Sequence, residues 1–250
     1  MQLLAIGFTV LCTSALSGVF GMAGGLVLMG VLLATLPVPD AMVLHGITQL
    51  IANGYRAWLT RRNIETRGVA RYLASAVICL AIAFAFRPTL ERAWIYVAVG
   101  AMPFIAALFP VRARLDFSRP VDSWICGFVV TTAHLTAGVS GPLLDIFFLQ
   151  GRLRAVEVIA TKATTQSAGH LLKIVYFGAI ATAGSTVVDR DGAWSLIGVA
   201  GVSAIAGTWL GRRIGERIDE GSFRTWSRLL VLTIGAGCLG RGIYLLTANS

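Results

Sequence analysis

Two groups of polar residues recur at helical spacing inside segments of the chain that are otherwise strongly apolar. The first group is His45, Gln49, Asn53 and Arg56, and the second is Lys162, Gln166, His170 and Lys173. Successive residues in each group are three or four positions apart, which places all of them on one face of an α-helix. Such a face combines positive charge with amide and imidazole hydrogen-bond donors, a combination that binds anions.

The second group repeats the first at a constant spacing along the chain. Each residue lies 117 positions after its counterpart, and no gap is needed between the segments 21–56 and 138–173. The identical pairs include Gly21 and Gly138, Gly24 and Gly141, Leu26 and Leu143, Thr48 and Thr165, and Gln49 and Gln166. A duplicated half, in which a glycine-interrupted apolar segment precedes a polar helix, is typical of a secondary transporter.

The composition is that of an integral membrane protein. Of the 250 residues, 56% are hydrophobic and only 13% are charged, about half the charged share of an ordinary soluble domain. The arginines behind the net charge of +9 lie in short connections between apolar segments, as orientation in a membrane requires. We therefore expect a lipid bilayer, and no nucleic acid, as a partner. The four cysteines are isolated and form no Cys/His cluster, so we expect no cofactor and no metal site.

The sequence predicts the same order of elements in both halves: an apolar hairpin with a glycine-rich break, then three transmembrane helices. For the first half we predict a hairpin over 2–36, broken at Gly21–Gly25, and helices at 40–60, 69–86 and 92–110. For the second half we predict a hairpin over 121–150, broken at Gly138–Pro142 before a short run at Leu143–Leu149, and helices at 155–177, 193–211 and 223–246. Asp40 is predicted to be the N-cap of the first polar helix.

The basic connections predict the orientation of the two halves. Connections 61–71, 112–119 and 212–224 contain arginines and belong on the cytoplasmic side by the positive-inside rule. Between connections 112–119 and 212–224 the chain must cross the membrane an even number of times. The helices at 155–177 and 193–211 already supply two crossings, so the second hairpin must return to the side from which it started. Three crossings in each half then invert the second half. We predict an all-α membrane fold of two inverted repeats, 1–117 and 118–250, whereas parallel repeats would place 212–224 outside.

The glycine breaks and the two polar helices are predicted to form one anion site, because non-helical backbone at membrane depth is tolerated only when it is buried or lines a cavity. The candidate residues are Gly24, Gly25, His45, Gln49, Asn53, Arg56, Ser140, Gly141, Lys162, Thr165, Gln166, His170 and Lys173. The alternative is that the amides only join two helices and that Arg56 and Lys173 anchor helix ends. Asp145 and His170 are the candidates for proton coupling, and Asp145 otherwise neutralises Lys162.

The duplicated segment and the helix that follows it, which opens with Asp40-Ala41 and ends in basic residues, resemble the TauE/SafE family. This family is also called the sulfite exporter or toluene-sulfonate uptake group. The resemblance covers nearly the whole chain and implies a multi-pass transporter in the bacterial inner membrane. It implies a substrate that is a small sulfur-containing anion: sulfite, sulfoacetate, another organosulfonate or thiosulfate. These residues leave open whether the chain forms a homo-oligomer.

Two other functions use the same residues. An anion channel needs the same lining without coupling, and the sequence does not separate it from a carrier. Gly138-Val139-Ser140-Gly141 also matches a GxSG motif, with Ser140 as nucleophile and His170 as base of an intramembrane serine protease. The first half has Ala23 at the position of Ser140, so the duplication does not preserve a nucleophile. We therefore prefer transport, without enzyme activity.

Overall fold

The computed structural model describes residues 2–20, 23–87, 91–108, 115–149, 151–180, 193–215 and 220–248. Within these ranges the chain forms ten α-helices and no strand, so the predicted all-helical fold is confirmed for this part. The helices are α1 (Gln2–Phe20), α2 (Ala23–Thr35), α3 (Val38–Thr60), α4 (Thr66–Phe86), α5 (Arg92–Leu108), α6 (Pro120–Ala137), α7 (Gly141–Ile146), α8 (Ala155–Ile180), α9 (Ala193–Gly215) and α10 (Glu220–Ala248). A 3₁₀ turn over Arg61–Asn63 follows α3.

The first hairpin consists of α1 and α2. Because α2 begins at Ala23, the prediction that Gly24 and Gly25 lie in a non-helical break is wrong, and Gly21 lies outside the described residues. Gly24 instead faces α1, where a Cβ atom would overlap the Thr13 carbonyl oxygen and approach the Ser17 hydroxyl. A glycine is needed there because the two helices approach each other closely.

The second hairpin has the predicted break. Gly138 ends α6 with a positive φ of 74°, a backbone conformation that glycine adopts at little cost. Helix α7 then starts at Gly141, with Pro142 in its first turn, where the fixed φ of proline suits a helix start. It ends at Ile146, and residues 147–149 form a turn. The short helical run therefore starts and ends earlier than the predicted Leu143–Leu149.

The predicted N-cap of α3 is wrong. The helix begins at Val38 and its N-cap is Pro37, because Pro39 already has the φ value that a first helical turn requires. Asp40 lies inside the first turn and is fully buried. It therefore remains a helix-start residue, three positions after the cap.

Two helix pairs run parallel. Gly7 of α1 faces Val199 of α9, and further along both helices Gly211 of α9 faces Ala15 of α1. In the pair α4 and α6, the Ser75 hydroxyl donates to the Trp124 carbonyl oxygen at 2.7 Å. One turn later, Cys79 Sγ lies 3.3 Å from Thr132 Oγ1.

Two further pairs run antiparallel, and each joins helices that correspond by order in the two halves. In the pair α5 and α10, Gly100 faces Gly235, while Gly242 faces Ala93 at the start of α5. In the pair α3 and α8, the start of α3 packs against the end of α8, as described below. Corresponding helices of the two halves therefore point in opposite directions along these contacts.

The surface of the molecule is apolar and its interior is partly polar. Large apolar side chains are exposed on many helices, among them Phe86, Trp94, Leu108, Trp194 and Tyr244. By length and composition, three of the described helices could cross a membrane, namely Thr66–Phe86, Trp194–Gly215 and Thr225–Ala248, and α2 and α5 are shorter apolar helices. This distribution suits a protein whose outer surface contacts lipid.

Candidate functional site

A cavity lies where α3 and α8 cross, and residues of both hairpins complete its lining. Its volume is about 30 Å³, enough for a water molecule or two. The lining residues are Ser17, Gly25, Leu26, His45, Gln49, Ala52, Asn53, Arg56, His134, Val139, Ser140, Gly141, Pro142, Gln166 and His170. The two polar groups read from the sequence therefore meet at one place.

Three buried polar atoms of the lining have no hydrogen-bond partner among the described residues: Ser17 Oγ, Gln49 Nε2 and His170 Nδ1. All three residues are at most 7% exposed. Leaving a buried polar group unpaired costs about 1–3 kcal/mol, and a polar ligand in the cavity would recover that free energy. Because an amide nitrogen can only donate, a ligand that satisfies Gln49 Nε2 must present an acceptor.

The hydrogen-bond partners of two histidines assign their tautomers. His45 Nε2 lies 2.9 Å from the Gly25 carbonyl oxygen, which only accepts, so Nε2 carries the hydrogen and Nδ1 is free to accept. His134 Nδ1 lies 3.1 Å from the Val130 carbonyl oxygen and donates to it for the same reason. His134 Nε2 is then the acceptor for the Ser140 hydroxyl, at 3.2 Å.

Lys173 is fully buried beneath the cavity. Its Nζ donates to the Gly138 carbonyl oxygen at 2.8 Å and to His45 Nδ1 at 2.8 Å. Neither partner carries a negative charge, and among the described residues Lys173 forms no ion pair. A buried ammonium group without a counter-ion is costly, so an anion in the adjoining cavity would stabilise it.

Two glycines allow the helices around Lys173 and His134 to pack closely. A Cβ atom at Gly46 would lie 2.7 Å from Ile174 and 3.3 Å from the Lys173 side chain. A Cβ atom at Gly169 would lie 2.6 Å from the ring of His134. All three distances are shorter than ordinary van der Waals contact. The observed positions of the Lys173 and His134 side chains therefore depend on glycine at positions 46 and 169.

The histidine rings form a cluster at the deep end of the cavity. The ring centroids of His134 and His170 are 4.6 Å apart in an edge-to-face arrangement, and those of His45 and His170 are 5.5 Å apart. The Ser140–His170 pair proposed for a protease does not form, because the histidine bonded to Ser140 is His134. Ser140 is also only 2% exposed, so the described conformation offers no path for a peptide.

The structure brings together most, but not all, of the predicted site residues. Those in the lining are Gly25, His45, Gln49, Asn53, Arg56, Ser140, Gly141, Gln166 and His170. Lys173 reaches the cavity wall through His45, and Gly24 packs against α1. Thr165 is buried and donates to the Thr161 carbonyl oxygen. Lys162 forms an ion pair with Asp145, outside the lining.

Sequence reasoning did not select Ser17 and His134 for the site, although both line the cavity. A signal for them was present, since His134 follows Ser17 by 117 residues. Both residues lie in the first arm of a hairpin, whereas the anion site was predicted only from the glycine breaks and the polar helices that follow them. Gly169 was missed because its effect depends on a neighbour from α6.

The electrostatics of the lining favour an anion. Arg56 contributes a guanidinium group, and no aspartate or glutamate occurs among the lining residues found in the described part of the chain. The other polar groups are amides, imidazoles and hydroxyls, all of which can donate hydrogen bonds. A cation would find no negative charge here, whereas an oxyanion would find donors from both halves.

Comparison with known proteins gave one result. Residues 6–238 match the profile of the family described as "Sulfite exporter TauE/SafE". No match was found among curated proteins or among solved structures.

Proposed function

The chain belongs to the sulfite exporter TauE/SafE family, and from that premise we propose that it is a secondary transporter that moves a small sulfur-containing anion across the membrane. Family membership supports a membrane transporter of sulfur anions. The substrate class that we assign to this cavity is sulfite or a small organosulfonate. Its three sulfur-bound oxygens can accept several hydrogen bonds at once.

The observation that carries the proposal is the set of unpaired donors in a lining without carboxylates. Gln49 Nε2 and the Ser17 hydroxyl are buried without partners among the described residues, and Arg56 shares their cavity. A sulfite oxygen can accept from each of these groups. Charge-assisted hydrogen bonds of this kind contribute about 1.5–3 kcal/mol each.

Alternating access between two inverted repeats is the mechanism that we propose. In its support, α3 and α8 run antiparallel, α5 and α10 do the same, and members of each pair correspond in the two halves. The described cavity holds only a water molecule or two, so an organosulfonate needs a conformation in which the halves have moved apart. Rocking of one repeat against the other supplies such a movement.

The test is counterflow of labelled sulfite in proteoliposomes, because a carrier exchanges substrate across the membrane and a channel does not concentrate it. Arg56→Gln should reduce uptake about tenfold or more, since it removes a charge-assisted hydrogen bond. The matched control is Arg61→Gln in the turn that follows α3, where the guanidinium stacks on Trp58, 5.2 Å from the ring centroid. We expect that variant to stay within about twofold of the unmodified protein.

Three results would contradict the proposal. Equal losses in both arginine variants would show that Arg56 acts only as a surface anchor. Uptake of lactate without sulfite would remove the sulfur chemistry, and sulfite flux without counterflow would indicate a channel. In the same assay Ser140→Ala should retain transport, whereas proteolysis dependent on Ser140 would favour a serine hydrolase.

A further inference from the structure

The two ends of the cavity differ, although the duplication would make them alike. At the end of the cavity near the start of α3, Lys173 contacts His45. Across the 117-residue spacing, Lys173 corresponds to Arg56 and His45 corresponds to Lys162. The equivalent contact at the other end would join Arg56 to Lys162. Lys162 is instead paired with Asp145.

The two contacts differ in burial. Lys173 and His45 are 0% and 1% exposed, whereas the side chains of Lys162 and Asp145 are 23% and 32% exposed. Lys162 lies near the connection between α3 and α4, where the Glu65 amide donates to Thr161 Oγ1 at 3.0 Å. That connection carries the arginines that we assign to the cytoplasm. The more exposed of the two contacts therefore lies at the cytoplasmic end.

We infer that Lys173 with His45, and Arg56 with Lys162, are the outer and cytoplasmic gates of the transporter, and that Asp145 is the counter-ion that allows the cytoplasmic gate to close. The inference rests on the proposed alternating access. When inverted halves exchange conformations, each contact of one half is remade by its counterpart in the other. The contact between Arg56 and Lys162 is then formed in the state with the cytoplasmic end closed.

The charges explain why only one gate contains an acid. The outer gate joins a lysine to the acceptor nitrogen of a neutral imidazole, and the counterpart of Asp145 in that half is Leu28, which is fully buried. The cytoplasmic gate brings a guanidinium next to an ammonium group. Like charges that approach in a medium of low dielectric constant repel each other strongly. The Asp145 carboxylate, already bound to Lys162, removes that repulsion.

To test the inference, the cytoplasmic gate is given the residue types of the outer gate. Asp145→Leu installs the residue type of Leu28 and should prevent closure on the cytoplasmic side. Adding Lys162→His installs the residue type of His45, so the double variant repeats the outer gate and should close again. The matched control is Glu157→Gln, which removes the other carboxylate near the start of α8, an acid bound to Arg154 at the surface.

The readout is the side from which the cavity is accessible, and it needs no substrate. A reporter Ala52→Cys is placed in the lining after replacement of Cys12, Cys79, Cys126 and Cys238 by alanine. It is labelled with a small impermeant methanethiosulfonate in right-side-out and inside-out vesicles. Asp145→Leu should slow labelling from outside at least tenfold and leave labelling from the cytoplasmic side unchanged. The double variant should label from outside within about threefold of the reporter protein, as should Glu157→Gln.

The outcomes separate the gate assignment from the proposed function. If Asp145→Leu labels from outside at the unmodified rate, or if the double variant stays slow, Asp145 is not the counter-ion of a gate. If the reporter protein labels from one side only, alternating access fails, and the gate assignment fails with it. Should Asp145→Leu not accumulate in the membrane, Asp145→Asn removes the same charge at almost constant size and carries the same expectation.

Discussion

We predict that Gly169→Ala displaces the cavity-lining side chain of His134, although Gly169 itself is uncharged and does not line the cavity. The new methyl group would lie 2.6 Å from His134 Cε1 and 2.7 Å from Nδ1, so the ring must retreat by about 0.8 Å to reach ordinary contact. A shift of this size breaks at least one of the two His134 hydrogen bonds, which measure 3.1 and 3.2 Å. Each neutral bond contributes about 0.5–1.5 kcal/mol.

The same helix provides the control. At Gly178 a Cβ atom would have no neighbour within 4 Å, so Gly178→Ala should gain about 0.5–1 kcal/mol from helix propensity. Gly169→Ala should instead lose about 1–2 kcal/mol and weaken sulfite affinity about fivefold, measured by thermal unfolding with and without sulfite. The first half has Ala52 and Ser17 at the positions of Gly169 and His134. Adding His134→Ser should therefore restore stability but not affinity. Equal stability and equal sulfite affinity in Gly169→Ala and Gly178→Ala would refute the described position of the His134 ring.

Two other glycines give contrasting expectations in the same thermal and binding assays. Gly138→Ala should destabilise the protein by about 2–4 kcal/mol. Alanine at a φ of 74° is strained, and its methyl group would lie 2.6 Å from Met42 Sδ. An unchanged unfolding temperature would contradict the positive φ described for Gly138. Gly25→Ala should change stability by less than about 0.5 kcal/mol, because its methyl group would lie 3.4 Å from Gln49 Oε1, in ordinary van der Waals contact, and would occupy part of the cavity beside that amide. Sulfite affinity should nevertheless fall about threefold, and unchanged affinity would indicate that Gln49 does not bind the substrate.

The sequence was sufficient to predict the features that depend on periodicity and repetition. Gln49 and Gln166 line one cavity because residues at helical spacing share a face, and a polar face in an apolar chain must turn inward. The break at Gly138 was predictable because a glycine commonly ends a helix and Pro142 lies only four residues further on. The apolar composition predicted helices throughout, and the described residues of the six predicted transmembrane helices are helical.

Only the tertiary structure decided which partner each polar group meets. Sequence spacing placed Lys162 and Lys173 on one helix face. In the structure Lys173 is buried and contacts His45, whereas Lys162 is partly exposed and pairs with Asp145. The choice of His134 over His170 as the partner of Ser140 likewise depends on how α6 lies against Gly169. These outcomes depend on contacts between residues far apart in the chain. The duplication places corresponding positions in both halves, but the contacts that the side chains make at those positions differ, with Lys173 bonded to His45 and Lys162 paired with Asp145.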